Sequence, residues 1–171
     1  MGVTIHFNGI ATNEEAVTKI IDTAKRFAIS NSMPYRLIDE QHGQISRVIN
    51  EISTEYTGRV RGIAIEPHYN SEQLKLEFGD DLILCDYCKT QFAPAEVHIS
   101  IVKFFKSIQS QFSKFDIIDE GEYWETEDLI TLENRRGYCY EQIEAIKKRS
   151  TNAKGPVRLN NGRIADYVII E

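Results

Sequence analysis

Val60-Arg61-Gly62-Ile63-Ala64-Ile65, Leu74-Lys75-Leu76-Glu77-Phe78 and Leu82-Ile83-Leu84-Cys85 are the runs that decide the fold. In the middle run, Leu74, Leu76 and Phe78 alternate with Lys75 and Glu77. That is the period-two pattern of a strand with one buried face. Gly79-Asp80-Asp81 separates it from the third run and is too short to hold a crossover helix. Strands joined so tightly run antiparallel, and the centre of the chain reads as a meander.

Upstream, Val3, Ile5 and Phe7 alternate with Thr4 and His6, predicting a strand that Asn8-Gly9 ends. Thr12-Asn13-Glu14-Glu15 has the form of a capping box, with Thr12 as the cap and Glu15 reaching back. Val17, Ile20, Ile21, Ala24, Phe27 and Ala28 then recur at spacings of three and four, the stripe of an amphipathic helix. Asn31 and Pro34 mark its end, and Tyr35 to Ile38 reads as a second strand. Between Gln41 and Tyr56, Ile45, Val48, Ile49 and Ile52 have helical spacing. A short helix is expected there, although β-branched residues are weak helix formers.

Downstream, Pro94 suits a first helical turn, and Val97, Ile101, Phe104, Phe105, Ile108 and Phe112 form the stripe that follows. Phe115 to Ile118 is a short strand. Thr126 is expected to cap another helix, with Glu127 and Asp128 placed for its dipole. Leu129, Leu132, Arg136, Cys139, Ile143 and Ile146 share one face of that helix, and Gly137 divides it into two shorter pieces. Val157-Arg158-Leu159, a turn at Asn160-Asn161-Gly162, and a strand from Ile164 to Ile170 close the chain as a hairpin. The sum is a single α+β domain over residues 1–171. It is a two-layer sandwich in which a mainly antiparallel sheet is covered by about three helices.

The bulk properties agree. A chain of 171 residues buries roughly 70% of its unfolded surface and needs no staple to hold a core. The net charge of -6 argues against nucleic acid, whose phosphates demand clustered Lys and Arg. The basic zone from Lys147-Lys148-Arg149 through Lys154, Arg158 and Arg163 reads as a charged helix end. The three cysteines do not form the dense spacing of a secreted disulfide scaffold. With no signal-peptide pattern and no membrane-length apolar run, a cytoplasmic location is expected. Phosphate and dinucleotide loops (GxxxxGK[ST], GxGxxG), HExxH and GxSxG are absent, so no cofactor is expected.

The most unusual stretch is Asp119-Glu120-Gly121-Glu122-Tyr123-Trp124-Glu125-Thr126-Glu127-Asp128, which sets six carboxylates around the one tryptophan. A solvated loop has no need of a tryptophan, and a buried strand does not favour so many acids. Lys89-Thr90-Gln91-Phe92-Ala93-Pro94-Ala95-Glu96-Val97-His98 is its natural counterpart. It places compact donors between a strand end and a helix start, where amides can hold a carboxylate. Should the two blocks converge, His98 with Glu122 or Glu120 would supply a base and an acid. Lys89, Gln91, Tyr123 and Trp124 would line the pocket. Surface ion pairs, with Trp124 filling the gap between two helices, are the structural alternative. A second functional reading treats Tyr123 and Trp124 with their acids as a surface for another protein, immunity- or adaptor-like, since aromatics dominate interfaces and carboxylates steer basic partners. A non-enzymatic protein-binding module is the leading expectation, and a small hydrolase or lyase the alternative. Cys85-Asp86-Tyr87-Cys88 has the spacing of a zinc-binding pair but lacks a second pair, so no metal is assigned.

Three blocks, Thr4-Ile5-His6-Phe7 with Gly9, Lys89 to Ala93 with Glu96-Val97-His98, and Asp119 to Thr126, resemble a group of bacterial proteins of unknown function. The resemblance implies that His6, the Lys89–His98 block and the Glu122–Trp124 block belong together. It carries no substrate and no catalytic role.

Overall fold

The computed structural model describes residues 2–49 and 51–170. Its main elements are β1 (Thr4–Ala11), α1 (Glu14–Ser30), β2 (Tyr35–Ile49), β3 (Ile52–Ile65), β4 (Leu74–Phe78), β5 (Ile83–Lys89), α2 (Ala95–Ile108), β6 (Phe112–Asp119), α3 (Tyr123–Thr126) and α4 (Leu129–Arg149). The two-residue strands β7 (Ala153–Lys154), β8 (Val157–Arg158), β9 (Ile164–Ala165) and β10 (Val168–Ile169) follow. Among the described residues no helix is long and apolar enough to cross a membrane.

The fold is an α+β sandwich with antiparallel ladders. One sheet has the order β5-β1-β6 and another β2-β3-β4. The turn Gly79–Leu82 brings β5 beside β4, but no ladder among the described residues joins them. The meander read from the sequence therefore changes sheet at its last step. The inner faces meet the helices in one core. Ile5, Phe7, Ile63, Ile65, Leu74, Leu76, Phe78 and Leu84 pack against Val17, Ile20, Ala24 and Ala28 of α1 and Ile101, Phe104, Phe105 and Ile108 of α2. The fourth helix, α4, joins this layer at its edge, burying Leu132 and Cys139 with Val3 and Ala95.

Several elements differ from the sequence reading, each for a local reason. Strand β1 runs through Asn8-Gly9 to Ala11. Gly9 is there for space. A Cβ would lie 2.8 Å from the Phe112 ring and 2.9 Å from the Lys114 carbonyl oxygen. The cap of α1 is Asn13, whose Oδ1 accepts from the Ala16 amide at 2.9 Å. Thr12 turns away to donate to the Gln111 carbonyl, and Glu15 pairs with Lys19. The cap of α4 is Asp128, which accepts from the amides of Ile130 and Thr131, while Thr126 closes α3 by donating to the Glu122 carbonyl. Gly137 does not break α4; the space beside it is open.

The largest difference is Gln41–Tyr56, which forms the two arms of a long hairpin, Asn50 lying outside the described residues. The buried positions are Gly43, Ile45 and Arg47, alternating with exposed Gln44, Ser46 and Val48. That is period two, hidden because a glycine and an arginine occupy the buried face. At the C-terminus β8 pairs with β9 as a hairpin. The expected long strand from Ile164 divides, and β10 pairs instead with β7.

Candidate functional site

Strand β1 is the axis of the first polar cluster. Its register sets Thr4 opposite Lys89 on β5 and Ile5 opposite Asp119 on β6. The segment leaving β5 and the start of α2 thus meet the end of β6. His98, on the first turn of α2, lies between them at 1% exposure. Its Nδ1 is 2.7 Å from Thr90 Oγ1 and its Nε2 is 3.1 Å from Asp119 Oδ2. Asp119 also accepts from the amides of Gly121 at 2.7 Å and Trp124 at 2.9 Å. Burial acts to raise this carboxyl, and the His98 hydrogen bond and charge with the two amides outweigh it, holding Asp119 below its ordinary value.

Thr90, His98 and Asp119 have the connectivity of a nucleophile, base and orienting acid. They lack access. Thr90 is 1% exposed, and the Asp119 side chain is fully covered. Neither concavity described below borders any of the three. The network binds the β5–α2 segment, α2 and the β6–α3 turn to one another.

A second cluster lies alongside, around residues 2–4. Gln91 is buried, accepts from the Val3 amide at 2.9 Å and donates to Asp166 at 3.1 Å. Lys89 Nζ donates to the same Asp166 carboxylate at 3.0 Å and to the Ile164 carbonyl. Glu120 accepts from the Thr4 amide at 3.0 Å and faces His6 Nε2 at 3.5 Å. Burial raises Glu120, and the His6 and Thr4 hydrogen bonds together outweigh it, so this carboxyl also sits below its ordinary value. Sequence reasoning missed Asp166. It sits in the C-terminal segment, 75 residues from Gln91, with no local pattern to mark it.

The structure therefore brings His6, Lys89, Gln91, His98 and Glu120 to the N-terminal end of β1, in two adjoining clusters. Glu122 belongs to neither. It has a left-handed backbone (φ 60°) and binds Arg135 on α4 at 2.6 and 3.1 Å. Tyr123 and Trp124 are partly buried against the core. Trp124 sets its ring edge-on to Phe115, centroids 6.4 Å apart, with Lys106 Nζ 5.4 Å from its centroid. Lys106 also pairs with Glu127. The acidic-aromatic stretch is a cap over the core in which Asp119, Glu120, Glu122 and Glu127 face basic neighbours and Asp128 caps α4. Cys85 and Cys88, three residues apart on β5, point to opposite faces of a strand. Cys85 Sγ donates to the Val48 carbonyl and Cys88 Sγ to that of Glu72.

The larger concavity lies elsewhere. A groove of about 850 Å³ runs between the end of α1 (Asn31–Pro34), the loop Glu66–Gln73 and the turn of the C-terminal hairpin (Asn160–Arg163). Comparison of the chain with protein-family models, curated proteins and solved structures finds no match. The groove's chemistry is read from its own residues.

Glu72 anchors its floor. This buried carboxylate accepts from the amides of Lys89 at 3.0 Å and Ile164 at 2.8 Å, tying the C-terminal hairpin to β5. Arg163 pairs with Glu72 at 3.1 Å and Asp86 at 2.6 Å and stacks 3.7 Å from the Tyr87 ring centroid. Arg158 donates to the carbonyls of Tyr69, Ser71 and Gly162, bridging loop to hairpin. The walls are thus pre-organised by buried or bridging charges. Tyr69, 80% exposed, Pro34, Pro67 and Asn160 line what is left, while Asn31 Nδ2 donates to the Phe27 carbonyl at 2.8 Å and Asn161 Oδ1 accepts from the Arg163 amide at 3.0 Å. A smaller hollow of about 240 Å³, lined in part by Lys75, Glu77, Cys85 and Asp86, adjoins it through Lys75 and Arg163. Burial holds Glu77 there above its ordinary value despite the nearby Lys75 ammonium.

Proposed function

We propose that the protein is a non-enzymatic binding module that takes an extended segment of another protein in the groove between α1, the Glu66–Gln73 loop and the C-terminal hairpin. The observation that carries this is the groove's make-up. Glu72, Arg158 and Arg163 are consumed in holding its walls, and an exposed aromatic, proline faces and asparagine side chains line the space between them. Amides pair with a peptide backbone, while tyrosine and proline faces bury apolar side chains. His98 lies instead in a sealed network with Thr90 and Asp119, and Glu120 and Glu122 are paired elsewhere, with His6 and Arg135. Tyr123 and Trp124 are turned toward the core, so the groove takes the place of the acidic-aromatic surface as the docking site.

A random-sequence peptide array probed with labelled protein tests this. Wild type retains a subset of peptides, and Tyr69→Ala, which alters an exposed side chain, loses them. An array on which wild type and Tyr69→Ala are indistinguishable removes the proposal.

A further inference from the structure

Strand β2 lies at the open edge of its sheet, with β3 on its other side. The Glu66 amide donates to the Pro34 carbonyl at 2.8 Å, which fixes the phase of the β2–β3 ladder. Arg36 and Ile38 therefore exchange bonds with β3, and Tyr35, Leu37 and Asp39 direct their N–H and C=O groups outward. Leu37 is 51% and Tyr35 38% exposed, although both sit opposite fully buried partners, Ile63 and Ile65. An edge of this kind is a template for another strand.

The straight part of this edge runs from Pro34 to the irregularity between Glu40 and Gly43, and its centre is Leu37. We infer that this edge pairs with β2 of a second copy of the chain, antiparallel, about a two-fold axis through Leu37. Each Leu37 then faces its symmetry mate. Tyr35 and Asp39 of each copy exchange backbone hydrogen bonds with Asp39 and Tyr35 of the other, on the same alternation. On the opposite face Arg36 of one copy lies diagonal to Glu40 of the other, within reach of long side chains. Neither Arg36 nor Glu40 has an ion-pair partner in its own chain among the described residues. The register uses the whole unbulged stretch, satisfies the outward amides, covers the exposed leucine and pairs both charges. This surface adjoins the peptide groove at Pro34 but the inference does not depend on a peptide binding there.

Sedimentation velocity over a dilution series tests the pairing. Wild type should reach twice the chain mass of 19.7 kDa. Leu37→Pro should be monomeric throughout with an unchanged circular dichroism spectrum, since the Leu37 N–H takes no part in the β2–β3 ladder. Arg36→Glu and Glu40→Arg should each weaken the dimer by about tenfold or more, and the double exchange should restore it. The charge exchange changes exposed side chains and decides the matter by itself if proline disturbs the fold. A wild-type monomer at every concentration overturns the inference, including in favour of a foreign strand at this edge. So does a folded Leu37→Pro dimer, or a double exchange that fails to restore association.

Discussion

Asp119 and His98 show how a polar pair can be mistaken for machinery. A histidine at a helix start near a run of acids invites an acid–base reading. The structure gives the histidine another acid, Asp119, and a hydroxyl, and closes all three off from solvent. Removing one partner strands the other. His98→Ala should cost about 3–5 kcal/mol in chemical denaturation, the typical penalty for orphaning a buried charged group. Two part-buried carboxyls contribute to the pH dependence. Asp119 and Glu120 are both more acidic folded than their ordinary values. Their ionisation therefore favours the folded state. That gain is complete above an unfolded carboxyl pKa of about 4 and is lost as pH falls through the depressed folded values. Asp119→Asn should flatten the acid limb of the stability profile, with Glu120 and the hydrogen-bonded surface carboxyls Glu15, Glu122, Glu127 and Asp128 supplying the slope that remains. An unaltered acid limb in Asp119→Asn would place the linkage on other groups. Cys88, fully buried with a thiol pushed well up by burial, should resist thiol reagents until the chain unfolds.

At the scale of elements, the caps give the sharpest contrasts. Asn13→Ala should lower stability by about 1 kcal/mol, while Thr12→Ala has the smaller effect, because Asn13 carries the cap. Asp128→Ala should likewise lower the melting temperature more than Thr126→Ala. Equal effects within either pair contradict the assignment. Gly9→Ala should destabilise by about 1–3 kcal/mol, the usual cost of overpacking, since Phe112, Phe115 and the Lys114 carbonyl leave no room. These same elements show what the sequence could and could not disclose. Leu74–Phe78 was legible because its alternation is between apolar and charged residues. The helices α1 and α2 were legible because their stripes face one core. Gln41–Tyr56 was not, because Gly43 and Arg47 occupy its buried face and Arg47 is satisfied only by Asp81 and Ile83, more than thirty residues on. Thr12 with Asn13, and Thr126 with Asp128, set two good N-cap types within two residues of each other, and the partner amide decided between them.

For the whole molecule, the candidate site was half legible. The blocks around His6, Lys89–His98 and Asp119–Glu120 do meet, because antiparallel pairing sets β5 and β6 on either side of β1. The groove was not legible. It is assembled from the end of α1, one loop and the C-terminal hairpin, held by Glu72, Arg158 and Arg163 over separations of 87 to 92 residues. No local pattern encodes such a surface. Breaking the bracket at Arg163→Ala should loosen the hairpin and weaken peptide retention more than it lowers global stability, since the main core lies on α1 and α2. Comparison of array binding with the melting temperature checks this. The most direct test of the central claim is amide chemical-shift mapping with a peptide selected on the array. Binding in the groove predicts perturbations at Asn31–Met33, His68–Tyr69 and Asn160–Gly162, with His98 and Asp119 unmoved. Perturbations centred on His98, Asp119 and Trp124 that leave the groove silent would contradict it.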